Sequence, residues 1–143
     1  MMMQSRCRWC GDDPLYVAYH DQEWGVPIRD DRALFEKLIL DGFQAGLSWI
    51  TILRRREGIV AAFDGFDPER IARYSDERIE TLLQDTRIIR NRQKVVSAVR
   101  NAQLWLEVMD GPTGFSELLW KHVEHEPIVN KLPDEASMPT ETA

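Results

Sequence analysis

The sequence predicts an all-α protein. Apolar residues recur at helical spacing in one segment after another. Capping residues stand directly before several of those segments. No stretch of useful length alternates polar and apolar residues as a half-buried strand would. With 143 residues, the expectation is one domain able to bury a real core.

The elements follow in order. Tyr16 and Tyr19 are three apart, so a helical turn puts both rings on one side. Trp24 follows in a Glu-Trp-Gly-Val-Pro turn. Asp30 or Asp31 caps a helix with Leu34, Phe35, Leu38 and Ile39 at helical spacing. Gly42 and Gly46 interrupt the pattern around FQAG, and Ser48 caps the next helix, WITILRRREGIVAAF. Asp67-Pro68 combines an N-cap with proline at the first helical position. Ser75 caps a short helix through Ile79, Leu82 and Leu83. A tight connection, Asp85–Asn91, leads into a helix with Val95, Val99, Ala102 and Leu106 on one face. Gly111-Pro112-Thr113-Gly114 breaks the chain before a last helix through Phe115, Leu118, Leu119 and Val123. Residues 1–130 therefore form the helical domain. The segment 131–143, KLPDEASMPTETA, has no apolar periodicity and two prolines, and reads as a flexible acidic tail.

Bulk properties exclude several classes. No apolar run approaches the roughly 18 residues of a membrane span, and MMMQSRCRWC lacks the apolar core of a secretory signal. Two cysteines without a signal suit a reducing, cytoplasmic setting, where thiols stay free or bind metal. The net charge of −6 is unevenly distributed. Residues 107–143 hold eight acids against Lys121 and Lys131, which leaves the first 106 residues neutral. Within those, Arg87, Arg90, Arg92, Lys94 and Arg100 form a run without an acid. Such a run is either a solvated helix face or a local field for phosphates.

The chemistry concentrates near the N-terminus. Trp9, Tyr16, Tyr19, Trp24 and Trp49 fall within 41 positions, with Cys7, Cys10 and His20 among them. Aromatic residues cluster in cores as readily as in sites, but rings on turns and helix starts can grip a flipped base. Asp41 ends LFEKLILD, where the helical pattern turns it inward. An acid there either meets a hydrogen-bond donor or a cationic ligand, or caps Gly42–Gln44 or reaches solvent. A cationic base would gain about 0.5–2 kcal/mol from each good aromatic face. Cys7-x-x-Cys10 with His20 offers up to three zinc ligands where tetrahedral zinc takes four. His122 and His125, spaced i, i+3, read as surface residues, though one of them could complete the set. No nucleophile elbow, phosphate loop or dinucleotide fingerprint is present.

Together, RCRWC, DPLYVAYHDQEWGVP, LFEKLILDGFQAGLSWITILRRRE, FDPERIA and IIRNRQK resemble the DNA-3-methyladenine glycosylase I family, from about Arg6 to about Asn130. The resemblance implies an all-α helix–hairpin–helix glycosylase that flips a damaged base from duplex DNA and hydrolyses its N-glycosidic bond. It implies that Trp9, Tyr16, Trp24 and Trp49 line the base pocket, with Tyr19 beside them. Asp41 stands where the family usually has a base-recognising glutamate. Gly46 and Leu47 match the loop that fills the gap left by the flipped base. Ile88–Lys94 matches the DNA-gripping hairpin, with Arg87, Arg90, Asn91 and Lys94 as its contacts. Cys7 and His20 match two of four structural zinc ligands.

The implied chemistry asks little of the protein, because N3-methylation already makes adenine a cationic leaving group. The family lacks the catalytic aspartate of other helix–hairpin–helix glycosylases, which assigns Asp41 to recognition. The chain departs from the family pattern in three ways. Asp41 is one methylene shorter than glutamate. Arg87 and Gln93 replace hairpin glycines that let backbone approach a phosphate, which shifts DNA contact to side chains. The chain stops at Ala143, short of the family's C-terminal segment with the other two zinc ligands, one of which Cys10 could replace. A monomer with no membrane association is expected. Two readings stand beside the enzyme: a relative that binds DNA or a purine without turnover, and a small zinc-stabilised structural protein.

Overall fold

The computed structural model describes residues 5–129, and the tail read as flexible, 131–143, lies outside them. No strand occurs among the described residues; short 3-10 turns precede the first helix, join the third to the fourth and follow the last of the seven α-helices that make the fold. The helices are α1 (Pro14–Gln22), α2 (Asp31–Gln44), α3 (Trp49–Ala62), α4 (Pro68–Ala72), α5 (Asp76–Leu82), α6 (Arg92–Met109) and α7 (Phe115–Trp120). None of the described helices is long and apolar enough to cross a membrane.

Most helix starts follow from their caps. Asp30 accepts from the Ala33 amide, Ser75 from Arg78 and Asn91 from Lys94. Asp13 and Asp67 cap α1 and α4, each followed by proline. Two expectations differ. Helix α2 runs through Gly42 to Gln44, because buried Phe43 fastens its last turn to the core and outweighs the roughly 1 kcal/mol helical cost of glycine. Ser48 holds the N-cap backbone position but makes no cap bond; its hydroxyl pairs with that of Thr51 at 2.8 Å.

The core brings Phe35, Ile39 and Phe43 of α2 against Ile52 and Ile59 of α3, with Val95, Val99 and Ala102 of α6. Helix α6 packs on α2, α4, α5 and α7 and joins the two ends of the fold. Asp31 crosses the chain to accept from the Ser116 amide at 2.7 Å, and the Trp120 indole donates to the Ile28 carbonyl at 2.7 Å. These bonds seat the last helix beside the start of α2. Helix α1 is fastened to α3 by ion pairs instead: Arg54 with Asp13 at 2.8 Å, and both Arg56 nitrogens with Glu23 at 2.7 and 2.9 Å.

Candidate base-binding slot and hairpin

Helix α2 presents two faces. Phe35, Ile39, Leu40 and Phe43 point into the core, while Lys37, Asp41 and Gln44, at i, i+4 and i+7, form a stripe beside α1. That stripe is one wall of a cleft of about 260 Å³, near the lower end of small-molecule sites and suited to a single base. The other walls are Trp9, Tyr16, Tyr19, Trp24 and Trp49. All five aromatic residues singled out in the sequence thus converge.

Trp9 is the hub of these rings. Its centroid lies 5.1 Å from Tyr16, 5.4 Å from Trp24 and 6.3 Å from Tyr19, and Tyr19 lies 5.6 Å from Trp49. The rings pack tilted or edge-on rather than stacked on one another, and all five line the cleft. Burial pushes the Tyr19 phenol above its ordinary range, and the Asp41 and Glu23 charges add to this, so Tyr19 meets a ligand as a neutral ring. The Trp49 indole N–H is buried without an acceptor among the described residues, held there by packing against the core.

Asp41 corrects the expectation of an inward-facing acid. It is exposed to the cleft and ion-paired with Lys37, one helical turn earlier. The core face of α2 is already filled by apolar side chains, and a carboxylate is far cheaper to keep at a solvated cleft. Lys37 itself was missed, although an i, i+4 pair of opposite charge is visible in LFEKLILD. Its Nζ also stands 4.6 Å from the centroid of the Trp49 ring.

The N-terminal segment meets α1 at His20, whose ring stacks on Trp24 at 5.6 Å. His20 Nε2 accepts from the Cys7 amide at 3.4 Å and Nδ1 pairs with Asp21 at 2.9 Å, which implies the Nδ1–H tautomer. Arg6, with a second contribution from His20, holds the Asp21 carboxyl down to about 2. For zinc the donor set is short. Cys7 and His20 adjoin each other, whereas the Cys10 thiol is buried and turned to the Cys7 and Gly11 carbonyls. His125 is taken up by Glu117 at 2.7 Å, and no group of three or more metal-binding side chains occurs among the described residues.

The hairpin lies between α5 and α6 and rests on α3. Ile88 is buried, and Arg55 donates to the Thr86 and Ile88 carbonyls at 3.2 and 3.1 Å. Gly58 permits this approach, since a Cβ there would meet Arg87 Cβ at 3.0 Å. The acid-free run of the sequence acquires acids in space: Arg87 pairs with Asp85 at 2.7 Å, and Arg92 with Glu80. Arg87 holds the Asp85 carboxyl down to about 2. Asn91 is spent on capping α6. Lys94 donates to the Phe43 and Ala45 carbonyls at 2.8 and 2.6 Å, tying α6 to the turn that follows α2. Gly46 in that turn has φ +81°, a left-handed conformation natural to glycine, and it carries Leu47, which is 37 % exposed. Arg90 is exposed, with no hydrogen bond or ion pair among the described residues.

Known proteins share this fold. A model of the methyladenine glycosylase family matches residues 9–143. The DNA-3-methyladenine glycosylase of Haemophilus influenzae is 45 % identical over 140 residues, a match that covers 98 % of this chain and 76 % of that protein. A crystal structure of a 3-methyladenine DNA glycosylase I superposes with a TM-score of 0.93 at 46 % identity, covering 96 % of this chain and 76 % of the other. A variant 3-methyladenine DNA glycosylase I in complex with 3-methyladenine gives 0.92 at 33 % identity, covering 98 % and 75 %.

Proposed function

The chain belongs to the methyladenine glycosylase family, and from that premise we propose how it works as a base-excision hydrolase releasing 3-methyladenine from alkylated duplex DNA. The observation that carries the proposal is the convergence of five aromatic rings and one carboxylate, Asp41, on a cleft of single-base size. The flipped base is gripped between ring faces, and Asp41 accepts hydrogen bonds from its N–H edge. Among the described residues Asp41 is the one carboxylate lining the cleft, and recognition is its role. Methylation at N3 makes the base cationic before it is bound. As the N9–C1′ bond breaks, its electron pair stays on N9 and cancels that charge. Water adds to the oxocarbenium-like C1′ and releases a proton to solvent. The slot's contribution is binding and orientation, which alone can supply much of a rate enhancement.

Leu47, carried on the Gly46 turn, fills the gap left in the duplex, and Arg90 contacts a phosphate directly. Arg87, Asn91 and Lys94 serve the same interface by shaping the hairpin and its neighbouring turn. The protein is proposed to act as a cytoplasmic monomer. Zinc, where bound, would be held by the Cys7 thiolate and His20 Nε2, with Asp21 orienting the imidazole. Two donors are half of a tetrahedral set, so no step is assigned to the metal. Elemental analysis is expected to show substoichiometric zinc that falls further in Cys7→Ser; an unchanged content in that variant would remove Cys7 as a ligand.

The deciding assay incubates N-methylated duplex DNA with the protein and measures free 3-methyladenine. Release well above that of an Asp41→Asn, Trp49→Ala double variant is expected. Equal release would leave a binding module as the better description.

A further inference from the structure

Resting on the base-slot reading above, we infer that Lys37 is the slot's resident cation and sets how strongly the slot prefers a charged base to a neutral one. A cationic methylpurine is recognised by two kinds of group, a carboxylate and an aromatic face. One of each is already engaged by Lys37, whose ammonium pairs with Asp41 and lies 4.6 Å from the Trp49 centroid. The three side chains face the same cleft. The lysine therefore makes the contacts that the ligand's positive charge would make.

The position is built for displacement. Lys37 is anchored on the slot-facing stripe of α2, yet its side chain is 38 % exposed and ends on a flexible four-carbon stem. An entering cation must push the ammonium out of the slot, losing both of its contacts. A neutral base keeps Asp41 paired and meets no like charge. The resident lysine thus lowers the slot's preference for cations, which a carboxylate among aromatic rings would otherwise make large. Contacts of these two kinds at exposed sites together correspond to about three- to thirtyfold in affinity.

The test titrates the protein with two probes and follows tryptophan fluorescence. One is 3,9-dimethyladeninium, a permanent cation; the other is 9-methyladenine, neutral at neutral pH. Lys37→Met is expected to bind the cation about three- to thirtyfold more tightly and the neutral probe within about twofold of the parent. Lys37→Gln should repeat that gain, whereas Lys37→Arg, which keeps the charge, should not. The gain should shrink in an Asp41→Asn background, where the ion pair is already lost. An unchanged ratio of the two affinities in Lys37→Met and Lys37→Gln would overturn the inference, as would weaker cation binding. No quenching by either probe would overturn the base slot together with it, which separates the two failures.

Discussion

The slot and the hairpin were both marked by residue type, but they use those residues in opposite ways. In the slot, the aromatic rings support one another through tilted and edge-on contacts and all still line the cleft. In the hairpin, most of the polar groups are consumed by the protein: Arg87 by Asp85, Asn91 by the α6 terminus, Lys94 by two carbonyls. A ring has two faces and an edge, so packing with a neighbour leaves recognition surface over. A charge or a hydrogen-bonding group is satisfied by one good partner and is then spent. Lys37 brings this second behaviour into the slot, where it engages the acid the ligand would need.

Removing the hub ring should break the slot with the largest effect. Trp9→Ala deletes a ring that touches Tyr16, Tyr19 and Trp24, and base–aromatic stacking is worth about 1–3 kcal/mol. Binding of 3-methyladenine, followed by titration calorimetry, is expected to weaken by about tenfold to a hundredfold. Unchanged affinity would return these rings to an ordinary core.

A smaller effect separates spent from available charge in the hairpin. Arg90→Gln should reduce the slope of log affinity for DNA against log salt by about 0.9 and leave stability alone. Lys94→Gln should leave that slope near the parent's while lowering unfolding free energy by about 2 kcal/mol, since two charge-assisted bonds to carbonyls are lost. Denaturant melts and filter binding at several salt concentrations read both. The reverse pattern would make Lys94 the phosphate contact and Arg90 a bystander.

Much of this was legible along the chain. Asp30, Asp67-Pro68 and Ser75 mark helix starts because a capping side chain bonds amides two or three residues away, a short-range fact. The aromatic cluster was legible because Tyr16 and Tyr19 share a turn and Trp9 and Trp24 flank it. Gly42 misled, since buried Phe43 outweighs local propensity. Asp41 misled too, because helical periodicity identifies faces but not which of them meets a cleft. Lys37 was within reach at i, i+4; its place over Trp49, twelve residues on and in the next helix, was not.

By itself, the sequence determined the all-helical class, most of the caps and the inventory of rings, acid and cations, all consequences of spacing within a few residues. Only the tertiary structure decided which groups remain open to a ligand. That depends on partners far away in the chain, such as Glu80 for Arg92, or Phe43 and Ala45 for Lys94. Electrostatic pairing acts over a few ångströms of space, whatever the number of residues between the partners.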